Sequence, residues 1–158
     1  MRILIAYATY SGSTGAVAQT IHDIISKDHT VDLKNVFEMK PEDLTPYDFI
    51  IFGSNSWLEK GEEGQMNSGF YELKSTLQPG HLKGKRCAIF ALGDSAQYSN
   101  TFCSAADRLE RMVREFDGEV VCPPLKIDQY YVYPAENGEK ITRWAAEVSR
   151  FLKQEQSR

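Results

Sequence analysis

The chain has 158 residues, of which 42% are hydrophobic and 25% charged, with a formal net charge of −4; this is enough apolar material for the core of one domain spanning residues 1–158. The acidic balance excludes nucleic acid, whose phosphates demand a basic face, and no apolar stretch approaches the length that crosses a bilayer. Cys87, Cys103 and Cys122 lack Cys-x-x-Cys spacing, and His22, His29 and His81 are scattered, so neither a disulfide framework nor a metal site is indicated, buried thiols and surface histidines being expected instead.

Residues 1–8 hold the continuous apolar run Ile3-Leu4-Ile5-Ala6-Tyr7, the pattern of a strand buried on both faces. The run is too short for a signal peptide and has no small-residue cleavage site after it, so a cytoplasmic location is expected. From Ser13 the period changes, and Val17, Ile21, Ile24 and Ile25 form one stripe of a helix. Residues 31–37 read as a second, edge-like strand, and 41–44 as a short helical turn. Residues 47–53, centred on Phe49-Ile50-Ile51-Phe52, predict another buried strand. A long polar segment, 54–69, leads to a helix over 70–77 that stops at Pro79-Gly80.

Residues 86–92 repeat the buried-strand pattern. A helix follows over 101–116, with Ala106, Leu109, Val113 and Phe116 on one face. Residues 119–122 are extended, Pro123-Pro124 interrupts them, and 125–127 resume. The last helix, 138–154, carries Ile141, Trp144, Ala145, Val148, Phe151 and Leu152 as a core stripe. Strands alternating with helices imply a parallel sheet covered on both faces, with right-handed crossovers. Ligands of such sheets lie beyond the carboxyl ends of the strands. Here those ends carry the loops 9–15, 54–69 and 93–102, which converge.

The first loop, Thr9-Tyr10-Ser11-Gly12-Ser13-Thr14, has four hydroxyls and no lysine or arginine. It sits where a helix N-terminus favours an anion. It lacks the lysine of a nucleoside-triphosphate P-loop and the Gly-x-Gly-x-x-Gly of a dinucleotide turn, and suits a single terminal phosphate held by neutral donors. The alternative is that Ser13 or Thr14 merely caps the helix. Trp57 follows directly on a buried strand, and Tyr98 stands in the third loop; two aromatic rings at neighbouring strand ends can sandwich a planar heterocycle.

These residues, together with Gly93-Asp94, Phe102 and Cys103 in register, resemble the flavodoxins. The first loop is similar to the family's phosphate pattern Ser/Thr-x-Thr/Ser-Gly-Asn/Ser-Thr. The resemblance implies a three-layer sandwich with a five-stranded parallel sheet of order 2-1-3-4-5, helices on both faces, and non-covalently bound flavin mononucleotide (FMN). It assigns the phosphate to Thr9, Ser11, Ser13 and Thr14 with the amides of Tyr10 and Gly12, and to Asn55 beside Ser54 and Ser56. It places Trp57 on one face of the flavin ring and Tyr98 on the other, with Leu58, Leu92, Gly93, Asp94, Phe102 and Cys103 around them. Backbone groups of Asp94 and Cys103 would bind the pyrimidine edge, making Cys103 structural.

The implied function is that of a monomeric, low-potential one-electron carrier. It would shuttle between a flavoprotein reductase and acceptor redox proteins through transient contact with an acidic face. The alternative is an FMN-dependent reductase of quinone or nitro-type substrates. The absence of a long insertion between 119 and 128 is similar to short-chain members. One departure is Leu58, where many flavodoxins have a residue tolerant of positive φ; such a conformation at a branched side chain costs on the order of 1–2 kcal/mol.

Overall fold

A computed structural model describes residues 1–158. Its central sheet begins with β1 (Ile3–Ala8), followed by α1 (Ser13–Ile25) and the edge strand β2 (Val31–Asn35). After two short 3-10 turns, Val36–Glu38 and Pro41–Leu44, the chain enters β3 (Phe49–Asn55). A small hairpin, β4 (Trp57–Glu59) and β5 (Glu62–Gln65), precedes α2 (Ser68–Thr76). Then come β6 (Arg86–Gly93), α3 (Ser104–Glu115), β7 (Glu119–Val120), β8 (Leu125–Asp128) and α4 (Pro134–Gln156).

The main sheet is parallel, ordered β2-β1-β3-β6, with β7 and β8 both on the far edge of β6. β7 pairs at Arg86–Cys87 and β8 at Phe90–Gly93. They are two pieces of one fifth strand, broken around Pro123-Pro124 because proline offers no ladder donor. Counted so, the order is 2-1-3-4-5, the flavodoxin-like α/β arrangement.

Alternation through the strands divides the core. Leu4, Ala6, Ile50, Phe52, Cys87 and Ile89 face the side covered by α2 and α3. Ile3, Ile5, Phe49, Ile51, Ala88 and Phe90 face α1 and α4. Both faces of β1, β3 and β6 are therefore apolar, which is why these three strands read as unbroken hydrophobic runs.

The structure corrects several expectations. The segment 54–69 is not a plain polar loop: it finishes β3 and contains the β4–β5 hairpin, whose Lys60-Gly61 tip has φ 51° and 80°. β2 ends at Asn35, whose side chain accepts from the Phe37 amide and starts a 3-10 turn. The third helix starts at Ser104 and not at 101, because Cys103 is left-handed at φ 53°. The last helix begins at Pro134, four residues before 138, with proline in the first turn where its missing N–H is no loss. His29 is buried, not on the surface, and its Nε2 donates to the Ser149 carbonyl at 3.2 Å between the end of α1 and α4. No helix is long and apolar enough to cross a membrane.

Candidate functional site

The carboxyl ends of β1, β3, β6 and β8 meet around a cavity of about 300 Å³. Its wall includes Ser11, Ser13 and Thr14 from the first loop, Asn55, Ser56 and Trp57 from the last residue of β3 onward, and Leu92, Gly93, Asp94 and Tyr98 from the last two residues of β6 onward. Three loops far apart in sequence thus deliver ten of the expected residues to one place.

The first loop is shaped by Gly12. Its φ of 94° is a left-handed conformation that L side chains rarely adopt, and its amide donates to Thr9 Oγ1 at 2.9 Å. No side chain caps α1, so neither Ser13 nor Thr14 plays the capping role. The first-turn amides keep their capacity to donate, at the positive end of the helix. Ser11 Oγ and Ser13 Oγ lie 3.2 Å apart beside them.

Asn55 adds a buried donor. The Asn67 side-chain oxygen accepts from the Gly69 amide at 2.9 Å, so its Nδ2 must be the atom that donates to Asn55 Oδ1 at 3.0 Å. This fixes the Asn55 amide with Nδ2 turned away, buried and without a hydrogen-bond partner. Such an orphan costs about 1–3 kcal/mol unless something accepts from it. Asn55 stands beside the first loop, Ser54 being paired with Ala8, and lines the same cavity.

Trp57 is 51% exposed although it follows directly on a buried strand. The third loop is braced by its own acid: Asp94 Oδ1 accepts from the amides of Ala96 and Gln97, at 2.9 and 3.3 Å. A second brace crosses to β8, where Asp128 accepts from the Ser95 amide and hydroxyl at 3.0 and 2.5 Å. Partial burial pushes the Asp128 carboxyl up, but these hydrogen bonds, one from Gln129 and the charge of Lys140 outweigh it and hold the carboxyl below its ordinary value.

Not every expected residue lines the cavity. Thr9 is occupied with Gly12, and Ser54 is buried, its Oγ bonded to the Asn55 carbonyl and the Asn67 amide. Tyr10 turns toward the hairpin. Phe102 lines a small adjoining crevice with Trp57 and Tyr98. Cys103 lies beneath, its Sγ donating to the carbonyls of Ala91 and Ile127 at 3.4 and 3.6 Å; burial pushes its thiol up to about 12, so it is no nucleophile at neutral pH. Leu58 is exposed and lies in β4, while the left-handed positions of the hairpin are Lys60, Gly61 and Gly64.

Gln97 and the segment Gln129, Tyr130, Tyr131 and Val132 complete the wall and were not anticipated. Their signal was present in the sequence: a run of aromatics directly after a strand end, the same feature that singles out Trp57. Tyr131 is 72% exposed.

Residues 5–133 match the family model described as Flavodoxin. A probable flavodoxin 2 of Bacillus subtilis is 34% identical over 133 residues, covering 80% of this chain and 82% of that one. The crystal structure of oxidised flavodoxin 2 from Bacillus cereus superposes with a TM-score of 0.77 at 33% identity, over 97% of this chain and 99% of that chain. The fold is also that of a Fusobacterium nucleatum flavodoxin bound to flavin mononucleotide, with a TM-score of 0.80 at 18% identity, over 94% and 97% of the two chains.

Proposed function

The chain belongs to the flavodoxin family, whose members bind FMN and carry electrons, and on that premise we propose that its strand-end cavity holds FMN for one-electron transfer between a flavoprotein reductase and acceptor redox proteins. The observation that carries this reading is the convergence of an uncapped helix N-terminus and an orphaned Asn55 amide in one cavity walled by Trp57 and Tyr98. The residues fit the group. Ser11, Ser13, Thr14 and the first-turn amides of α1 would hold its phosphate with Asn55, and Trp57 and Tyr98 would flank its ring. Thr9, Gly12 and Ser54 support that set by shaping the loop backbone. When bound, FMN supplies a ring that accepts and releases electrons singly.

The protein sets the electrostatics of the cavity. The first loop contributes no cation, so a bound phosphate keeps its charge. Asp94 in the wall and Glu59, Glu62 and Glu63 on the hairpin add carboxylates nearby. Negative charge gathered there is repelled most strongly where water is excluded. The cavity therefore favours giving electrons away, which makes the chain a low-potential donor. Aromatic side chains toward both ring faces leave an edge for transfer and little room for a substrate, which favours a carrier over a reductase of quinone or nitro-type substrates.

Further parts of the proposal are a single unit spanning 1–158, a monomer, a cytoplasmic location and short-chain type. The last is supported by the four residues, 121–124, that separate β7 from β8. The deciding experiment is FMN titration of the full chain, monitored by quenching of flavin fluorescence. Stoichiometric uptake is expected; a chain that takes up no FMN overturns the reading. Reduced protein that passes electrons to a partner protein and does not turn over quinones at a useful rate distinguishes carrier from enzyme.

A further inference from the structure

Tyr10 belongs to the first loop by its backbone, yet its side chain reaches the hairpin. The hydroxyl donates to Glu59 Oε2 at 2.9 Å and accepts from the Ser68 amide at 3.0 Å. Its ring centroid lies 6.0 Å from that of Trp57, tilted by 54°. Ser68 opens α2, whose first amides need acceptors; Asn67 serves Gly69, and Tyr10 serves Ser68. The hydroxyl is thus a relay from the positive end of a helix to a carboxylate, an arrangement in which each bond polarises the next.

The two strands of the hairpin are held unequally. β5 is tied to its surroundings by Thr101 donating to Glu63, Arg108 to the Gly64 carbonyl and Tyr71 to Gln65. β4 carries Trp57, and its one side-chain hydrogen bond beyond the hairpin comes from Tyr10. Tyr10 is therefore the one side-chain tie from the first loop to the strand that presents Trp57, added to that strand's pairing with β5 and to the bonds of Ser56 with Leu92 and Ala105.

We propose that Tyr10 is a positioning residue that couples phosphate in the first loop to the placement of Trp57, so that phosphorylated flavin is preferred by more than its direct phosphate contacts. This rests on the assignment of the cavity to FMN. A phosphate seated on the loop orders the backbone at Tyr10, and the side chain passes that order to Glu59 and Trp57. A flavin without phosphate must order loop and hairpin at its own expense.

The test compares dissociation constants of FMN and riboflavin for the flavin-free full chain as wild type, Tyr10→Phe and Glu59→Gln, with circular dichroism verifying the fold. Tyr10→Phe keeps the ring and loses both hydroxyl bonds; it should weaken FMN about fivefold and riboflavin less than about twofold, in keeping with a half-exposed charge-assisted bond. Glu59→Gln should act in the same direction with a smaller effect, since an amide oxygen still accepts. Trypsin cleavage after Lys60, exposed at the hairpin tip, should be slowed more by FMN than by riboflavin in the wild type, and about equally in Tyr10→Phe. Equal weakening of both flavins, or none, overturns the coupling while leaving the FMN assignment intact. A wild type that binds no FMN overturns the assignment itself, and the coupling with it.

Discussion

Two of the molecule's concavities make a useful pair, and the larger of the two is not the one the chemistry selects. A groove of about 410 Å³ runs between the broken fifth strand and α4, lined by Phe49, Leu125, Trp144, Val148 and Phe151 among others. Two of its polar groups are paired within the protein: Trp144 Nε1 donates to the Pro123 carbonyl at 3.1 Å and Lys140 to the Lys126 carbonyl at 3.3 Å. The strand-end cavity is smaller, but it holds a buried amide with nothing to donate to and a helix end without a cap. Unspent hydrogen-bonding capacity distinguishes a binding site from a packing defect better than volume does.

The comparison is broken most directly at Asn55. Asn55→Ala should weaken FMN by about ten- to a hundredfold, the value of a hydrogen bond to a charged group at 1.5–3 kcal/mol, and should lower flavin-free stability by about 1–3 kcal/mol because the buried Asn67 Nδ2 loses its acceptor. Isothermal titration calorimetry and urea unfolding together check both halves, and an unchanged affinity removes Asn55 from the site. Gly12→Ala comes next. An added Cβ meets no atom within 4 Å, so the penalty is that of the left-handed backbone, about 1–2 kcal/mol of stability, with weaker FMN binding as the loop relaxes.

In the groove the expectation inverts. Trp144→Phe strands the Pro123 carbonyl and should cost about 1 kcal/mol in urea unfolding while leaving FMN affinity unchanged; a changed affinity would mean that the two concavities communicate. The smallest effect is that of acid on Asp128, which joins the third loop to β8. Its folded value is depressed below the ordinary 3.8, so its contribution to stability is complete above that pH and lost as pH falls through the depressed value. Asp128→Asn should therefore give a shallower loss of stability below about pH 4, measured by unfolding at stepped pH.

The central strands β1, β3 and β6 were legible because each buries both faces, and Ile3–Ala6 or Phe49–Phe52 then has no other reading. The hairpin was not legible. Glu59, Lys60, Glu62 and Glu63 give no alternation, and Lys60-Gly61 stands where Asn-Gly would announce a two-residue turn. Helix ends failed where a terminal residue was conformationally unusual, as at Cys103, or where the first turn had no apolar stripe, as at Pro134. In the site, hydroxyls and aromatics could be named from type and spacing. The orphaned state of Asn55 could not, because it depends on Asn67, which accepts from Gly69 and so dictates which way the neighbouring amide points. Tyr10 was placed correctly in its loop, but its side-chain direction depends on a helix and a hairpin that follow some 50 residues later.

Cys87 and Cys103 are buried and Cys122 is half-buried, and this has a consequence for the working life of the protein. Cys87 and Cys103 are pushed up to about 12 and Cys122 to about 11 by desolvation. At neutral pH the thiolate forms of Cys87 and Cys103 are therefore strongly disfavoured. In the electron-carrying role proposed above, a reduced flavin meeting dioxygen would generate peroxide beside these thiols. Thiols held in this form climb the oxidation ladder slowly. The chain should endure many rounds of aerobic reoxidation without sulfenic acid or intermolecular disulfides, and therefore without a dedicated repair system for its cysteines.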